Sequence, residues 1–177
     1  YNYSEGELWR HSIACAHTMQ SLSYLTDTER DVAYTMGLLH GLGKIVIEVY
    51  YREQGLAHQM SGLRSVTPEE EMETLGFTHA QVAVALLERW NFLQSISEPI
   101  AYQINPMDAP PKSQKSALLL CLCLDAVVFF SDMEANAELE YDPDPDLLTE
   151  LALTRRELED VTNQSLEVTD KLIKSVS

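Results

Sequence analysis

Apolar residues recur along this chain at three- and four-residue intervals, the spacing that lines one face of a helix. Val82, Leu86 and Trp90 form one such stripe, and Leu158, Val161 and Leu166 another. Stretches patterned in this way are 5–24, 27–40, 43–54, 68–75, 79–91, 95–104, 113–131, and 145–175 in two pieces. They predict an all-α protein, a compact bundle of roughly eight helices. The β-branched run "KIVIEVYY" (44–51) reads as a strand in isolation. Directly after a glycine-punctuated helical run, a restarted helix is the better reading.

Helix starts are marked by four Ser/Thr-x-x-Glu/Gln capping boxes: Thr26 with Glu29, Thr67 with Glu70, Thr78 with Gln81, and Thr154 with Glu157. In each, the threonine oxygen accepts from an orphan amide while the later side chain reaches back to the threonine N–H. Pro68 follows Thr67 at the first helical position, where proline forfeits no hydrogen bond. Loops are expected at 55–66, at "NPMDAPPK" (105–112) and at "SDMEANAELEYDPDPD" (131–146). No internal repeat or sharp composition change divides the chain, so residues 1–177 read as one helical domain. Trp9 and Trp90 are the expected aromatic anchors of its core.

Composition narrows the partners. At 177 residues and 45% apolar content the chain can bury a proper core. Twenty-eight acidic side chains against 12 basic ones leave a net charge of -16. Such a surface repels phosphate backbones and anionic membranes, and no basic face relieves it. Neither nucleic acid nor membrane is therefore an expected partner. Cys15, Cys121 and Cys123 lie in apolar segments and read as buried free thiols in a reducing compartment. The run "ALLLCLCLDAVVFF" (117–130) reads as too short to span a bilayer, and it carries Asp125. No signal-peptide pattern opens the sequence, and a cytoplasmic location is expected.

Candidate chemistry centres on four residues. His40 ends the apolar stretch "GLLHGLGK" (37–44), followed by two glycines, and a histidine there also suits the negative end of a helix. Asp125 is the only charged residue between Leu118 and Phe130, which predicts a buried carboxylate that a histidine or cation must answer. The competing reading is the narrow polar stripe of a half-exposed helix. His79 opens the helix in "LGFTHAQVAVALLERW" (75–90), and His11 lies in "LWRHSIACAH" (8–17). His17 and His58 have no companion pattern.

Taken in order, "LWRHS", "GLLHGLGK", "LGFTHAQVAVALLERWNF" and "PIAYQINP" closely resemble the HDOD domain, the HD-related output domain of bacterial signalling proteins. The resemblance runs from about residue 8 to the end. It implies an all-helical fold related to the HD and HD-GYP phosphohydrolases, here beginning where the second half of a full-length domain would begin. By that resemblance His11, His40, His79 and Asp125 are the surviving candidates for metal ligation. Gly41 stands where the aspartate of the His-Asp pair would be, and Gln103-Ile104 where a His-His pair would be. Three imidazoles and one carboxylate suit at most a single divalent ion such as Zn, Fe or Mn. A two-metal centre that activates water lacks too many ligands. The resemblance thus implies no cofactor and a regulatory domain that has lost hydrolysis and has other signalling proteins or domains as partners, with the surviving quartet expected to persist as a buried polar cluster around Asp125. A metal-dependent phosphohydrolase and a small-ligand sensor of nucleotide type are the alternatives.

Other motifs fall away. Asp142, Asp144 and Asp146 alternate as in a calcium loop, but the sixth-position glycine is missing and Leu153 stands in place of the bidentate glutamate. Asp144 reads instead as the cap of a helix that Pro145 begins. "HGLGK" lacks the strand-turn-helix context of a phosphate cradle, and no serine sits in a nucleophile elbow. Lys44 reads as the complement of a helix C-terminus.

Overall fold

The computed structural model describes residues 6–55, 67–132 and 138–176, and every regular element among them is helical. In order these are α1 (Glu7–Leu22), α2 (Arg30–Leu39), α3 (Leu42–Glu53), α4 (Pro68–Leu75), α5 (His79–Arg89), α6 (Gln94–Ala101), α7 (Pro111–Ser131), α8 (Pro145–Glu150) and α9 (Arg155–Val176). Short 3-10 turns occupy Ser23–Leu25 and Pro106–Asp108. The "KIVIEVYY" run is helical, inside α3. His58, with most of the expected 55–66 loop, lies outside the described residues, as do residues 133–137 of the acidic loop.

Three of the four capping boxes form. Thr67 accepts from the Glu70 N–H at 3.3 Å while the Glu70 carboxylate accepts from Thr67 N–H at 2.9 Å. Thr78 with Gln81 and Thr154 with Glu157 repeat the exchange. Thr26 with Glu29 does not. α1 runs on into the 3-10 turn, and the Thr26 hydroxyl closes that turn by donating to the Ser23 carbonyl. Consequently α2 starts only at Arg30, with no side-chain cap. Asp144 caps α8 by accepting from Asp146 N–H, and Pro145 begins the helix as expected.

α1 packs against α2, α7 and α9, α3 against α5, and α6 joins α2, α5 and α7. The core is filled by Met19, Leu22, Met36, Leu87, Ile100, Leu119 and Leu158 among others. A second cluster of Ala14, Cys15, Val127 and Leu166 joins α1 to α7 and α9. Two tryptophans expected inside are not: Trp9 is 58% exposed and Trp90 54%. Both sit at helix ends, Trp90 just before the left-handed Asn91 (φ 59°), where the apolar stripe runs out of the bundle. The 117–130 run belongs to a helix of 21 residues, longer than the run suggested. By length and composition alone α7 and the Arg30–Glu53 span could cross a membrane. In the bundle α7 buries Leu118, Leu119, Leu120, Leu122 and Cys123, and Gly41 divides the other span into α2 and α3.

Two glycines set the spacing of these helices. A Cβ at Gly37 would lie 2.7 Å from both Ala16 Cα and the Cys15 carbonyl oxygen, so α1 and α2 touch backbone to backbone. A Cβ at Gly43 would lie 1.9 Å from the His79 carbonyl oxygen, so the start of α3 sits directly on the start of α5. At Gly41 the nearest atom to a Cβ is the flexible end of Leu8, at 3.4 Å, and φ is -86°. Urea denaturation should therefore show Gly43→Ala losing more than about 3 kcal/mol while Gly41→Ala changes stability by less than about 1 kcal/mol. Exposed Ala152 holds a left-handed φ of 50°, so Ala152→Gly should raise stability by roughly 1 kcal/mol in the same experiment.

Candidate functional site

His11 and Cys15 lie one turn apart on α1, and His40 is the residue that ends α2. The glycine contact between these helices falls one turn before His40, so it delivers that imidazole to the α1 face carrying His11 and Cys15. The His11 and His40 rings meet edge-on with centroids 5.2 Å apart. Cys15 Sγ lies 3.6 Å from His11 Nε2. One donor atom from each of His11, Cys15 and His40 falls within 4.8 Å of the other two. His40 Nδ1 donates to the Gly37 carbonyl at 2.6 Å, which fixes the tautomer and leaves the ring's lone pair on Nε2.

His79 is buried at the first position of α5 and is held by Glu71 of α4. The Glu71 carboxylate accepts from the His79 backbone N–H at 2.7 Å and from Nδ1 at 2.9 Å. Glu71 belongs to the acidic first turn of "TPEEEMET" (67–74), yet it is wholly buried. Its signal was there: Glu71 shares a helical face with Pro68 and Leu75, so one glutamate of "EEE" had to turn inward.

Asp125 does not join the histidines. It is exposed on α7, where it shares an outward stripe with half-buried Cys121 and exposed Val128. Residues 121, 125 and 128 follow the helical period, so the polar stripe exists but is mostly apolar in composition. Water solvates the carboxylate and no buried cation is required. Asp125 instead acts on Tyr141, whose phenol is raised by burial first and then by that charge. It acts likewise on Cys121, whose thiol burial and Asp125 together raise to about 11. The expected quartet is therefore not one cluster, and Cys15, read from the sequence as an inert thiol, stands beside the two facing histidines in its place.

At the positions of the missing ligands, Gln103 is buried and donates from Nε2 to the His40 carbonyl at 3.3 Å. Its Oε1 has no hydrogen-bond partner among the described residues. The room beside Gly41 is taken by Leu8 and Ser12. A cleft of about 700 Å³ opens over Leu8, Ser12 and Gly41, with Trp9 and Ile45 on its walls and neither His11 nor His40 among its lining residues.

Burial governs the charge state. His11 is lowered to about 4, by desolvation first and then by the Lys44 and Arg10 charges. Burial also holds His40 well below its ordinary value, with His11 adding to the effect. The Cys15 thiol is raised by burial first, then by Cys123. At neutral pH the cluster thus offers two neutral imidazoles and a protonated thiol. Among the described residues no carboxylate joins the three donors: Glu71 bonds His79, and Asp125 lies elsewhere. A binuclear hydrolytic centre needs anionic oxygens that bridge its two ions, and the described residues of this cluster do not fit one.

The model of the HDOD domain matches residues 2–106, which carry His11, His40 and His79 and exclude Asp125. The chain belongs to the HDOD family. Its HDOD fold recurs in solved structures of low identity. A candidate signal transduction protein of Marinobacter aquaeolei VT8 superposes with TM-score 0.76 at 23% identity, over 98% of this chain and 39% of that one. A candidate phosphohydrolase of Shewanella amazonensis SB2B gives TM-score 0.63 at 21% identity, over 93% and 65%. An HDOD domain protein of unknown function from Geobacter sulfurreducens gives TM-score 0.57 at 18% identity, over 98% and 60%. The chain therefore spans well under half of the first of these and about three fifths of the last. No curated protein matches the sequence.

A histidine held neutral by the fold ties HDOD stability to pH. The unfolded His11 binds a proton near pH 6.5 and the folded one only near 4. Between those values the unfolded state holds more protons, so stability falls as pH drops through that window. Chemical denaturation at pH 7 and pH 4.5 should show a His11→Gln variant losing less stability on acidification than the parent, by roughly 2–3 kcal/mol.

Proposed function

We propose that this HDOD chain is a non-catalytic module of bacterial signal transduction that acts through contacts with other signalling proteins or domains in the cytoplasm. The observation that carries this reading is the donor set at the family's histidine positions. His40 and Cys15 are buried and His11 half-buried, and both imidazoles are held neutral. Among the described residues no carboxylate joins them to hold a second cation or to take a proton from water. The Gly41 position supports it too, since glycine offers no ligand there and the nearest side chains, Leu8 and Ser12, carry no charge.

The surface suits a protein partner. Trp9, Ile45, Val49 and Tyr50 are exposed apolar residues on α1 and α3. Amphipathic aromatics of this kind carry binding energy in protein interfaces. The net charge of -16 disfavours nucleic acid and anionic membrane as the alternatives.

Protein purified without chelator and supplied with Mn²⁺ should leave bis-p-nitrophenyl phosphate and cyclic dinucleotides unhydrolysed above the metal-only background. Gly41→Asp should not create turnover. Mn²⁺-dependent hydrolysis abolished by His40→Ala would overturn the proposal in favour of a phosphohydrolase.

A further inference from the structure

Cys15 changes what the histidine cluster can hold. Its sulfur faces His11 at 3.6 Å, and the donor atoms of His11, Cys15 and His40 converge within 4.8 Å of one another. Three such donors must close by about an ångström to grip one ion, since metal–nitrogen and metal–sulfur bonds run near 2.0–2.3 Å. Two features favour that closure. His11 and Cys15 are fixed one turn apart on the same helix. His40 is oriented by its Nδ1 bond to the Gly37 carbonyl, the kind of outer hydrogen bond that aims the other ring nitrogen of a ligating histidine.

Charge then selects the ion. Among the described residues no carboxylate joins the three donors, and the Lys44 ammonium is near enough to act electrostatically on all of them. A divalent ion bound to the Cys15 thiolate would add one net positive charge to a buried site already facing Lys44. A monovalent ion adds none. It enters as M⁺, the Cys15 S–H bond breaks, a sulfur–metal bond forms, the proton leaves to solvent, and the charge of the site is unchanged. Among the biological metals, copper(I) is the monovalent ion that prefers thiolate with imidazole. We infer that His11, Cys15 and His40 form a three-coordinate binding site for copper(I). The site does not depend on the signalling proposal, since it concerns what the cluster binds and not which protein it contacts.

The test is an anaerobic titration of the whole chain with copper(I) delivered from a bicinchoninate complex, repeated for variants and for Zn²⁺. Cys121 and Cys123 are also free thiols, so Cys123→Ser serves as the control for general thiol capture. The parent and Cys123→Ser should each take one copper(I), and Cys15→Ser should bind at least about 100-fold more weakly. Because Cys15 lies in the core, X-ray absorption on the parent gives a second readout that needs no variant: one sulfur and two nitrogen neighbours per copper. No copper(I) binding, equal binding by Cys15→Ser, a sulfur-only copper shell, or tighter binding of Zn²⁺ than of copper(I) would each overturn the inference.

Discussion

At Gly37 the space of one methyl group separates a helix pair in contact from a helix pair held apart. A Cβ there would collide with Ala16 Cα and the Cys15 carbonyl, so the absence of a side chain brings α1 and α2 into backbone contact. Everything at the candidate site follows from that approach. It places His40 against His11 and Cys15 and buries His40 with its Nδ1 bonded to the Gly37 carbonyl. Gly43 performs the same service one helix later, seating α3 on the His79 carbonyl.

Dryness then decides the chemistry. In a region of low dielectric an imidazolium is disfavoured unless a carboxylate answers it. Glu71 accepts from the His79 backbone N–H and Nδ1, away from the other two rings. His11 and His40 remain neutral, and Lys44 reinforces this by disfavouring further positive charge. Hydrolysis of a phosphodiester asks for the opposite environment: clustered anionic oxygens, cations between them, and access for water. At three positions where the resemblance to the phosphohydrolases sets ligands, the chain carries Gly41, Gln103 and Ile104, none of them anionic. What the fold retains is a closed polar core and an apolar outer surface on α1 and α3.

Much of this was legible in the sequence because it is local. The apolar period, the threonine boxes at Thr67, Thr78 and Thr154, and the proline at 145 each act within one turn of helix, and each appears where the pattern put it. The motif glycines and histidines marked the site. The misreadings share a different cause. Whether Asp125, Trp9 or Trp90 faces in or out depends on where a helix ends relative to its neighbours, which a one-dimensional pattern does not contain. Thr26 was claimed by the turn before it, and Glu71 was drawn inward by a partner eight residues on. Cys15 was read as inert because its companion His40 comes from another helix. Its one-turn spacing from His11 was the available clue.

The central claim is that backbone contact at Gly37 locks His40 as a buried neutral imidazole. Long-range ¹H–¹⁵N correlation of the histidine side chains measures this directly, by reporting which ring nitrogen carries the proton as pH changes. The account predicts a His40 ring that stays protonated on Nδ1 alone as the pH falls through the ordinary histidine value of about 6.5, a state lost in Gly37→Ala. A His40 that titrates near its ordinary value of about 6.5, or carries its proton on Nε2 in the parent protein, would contradict it.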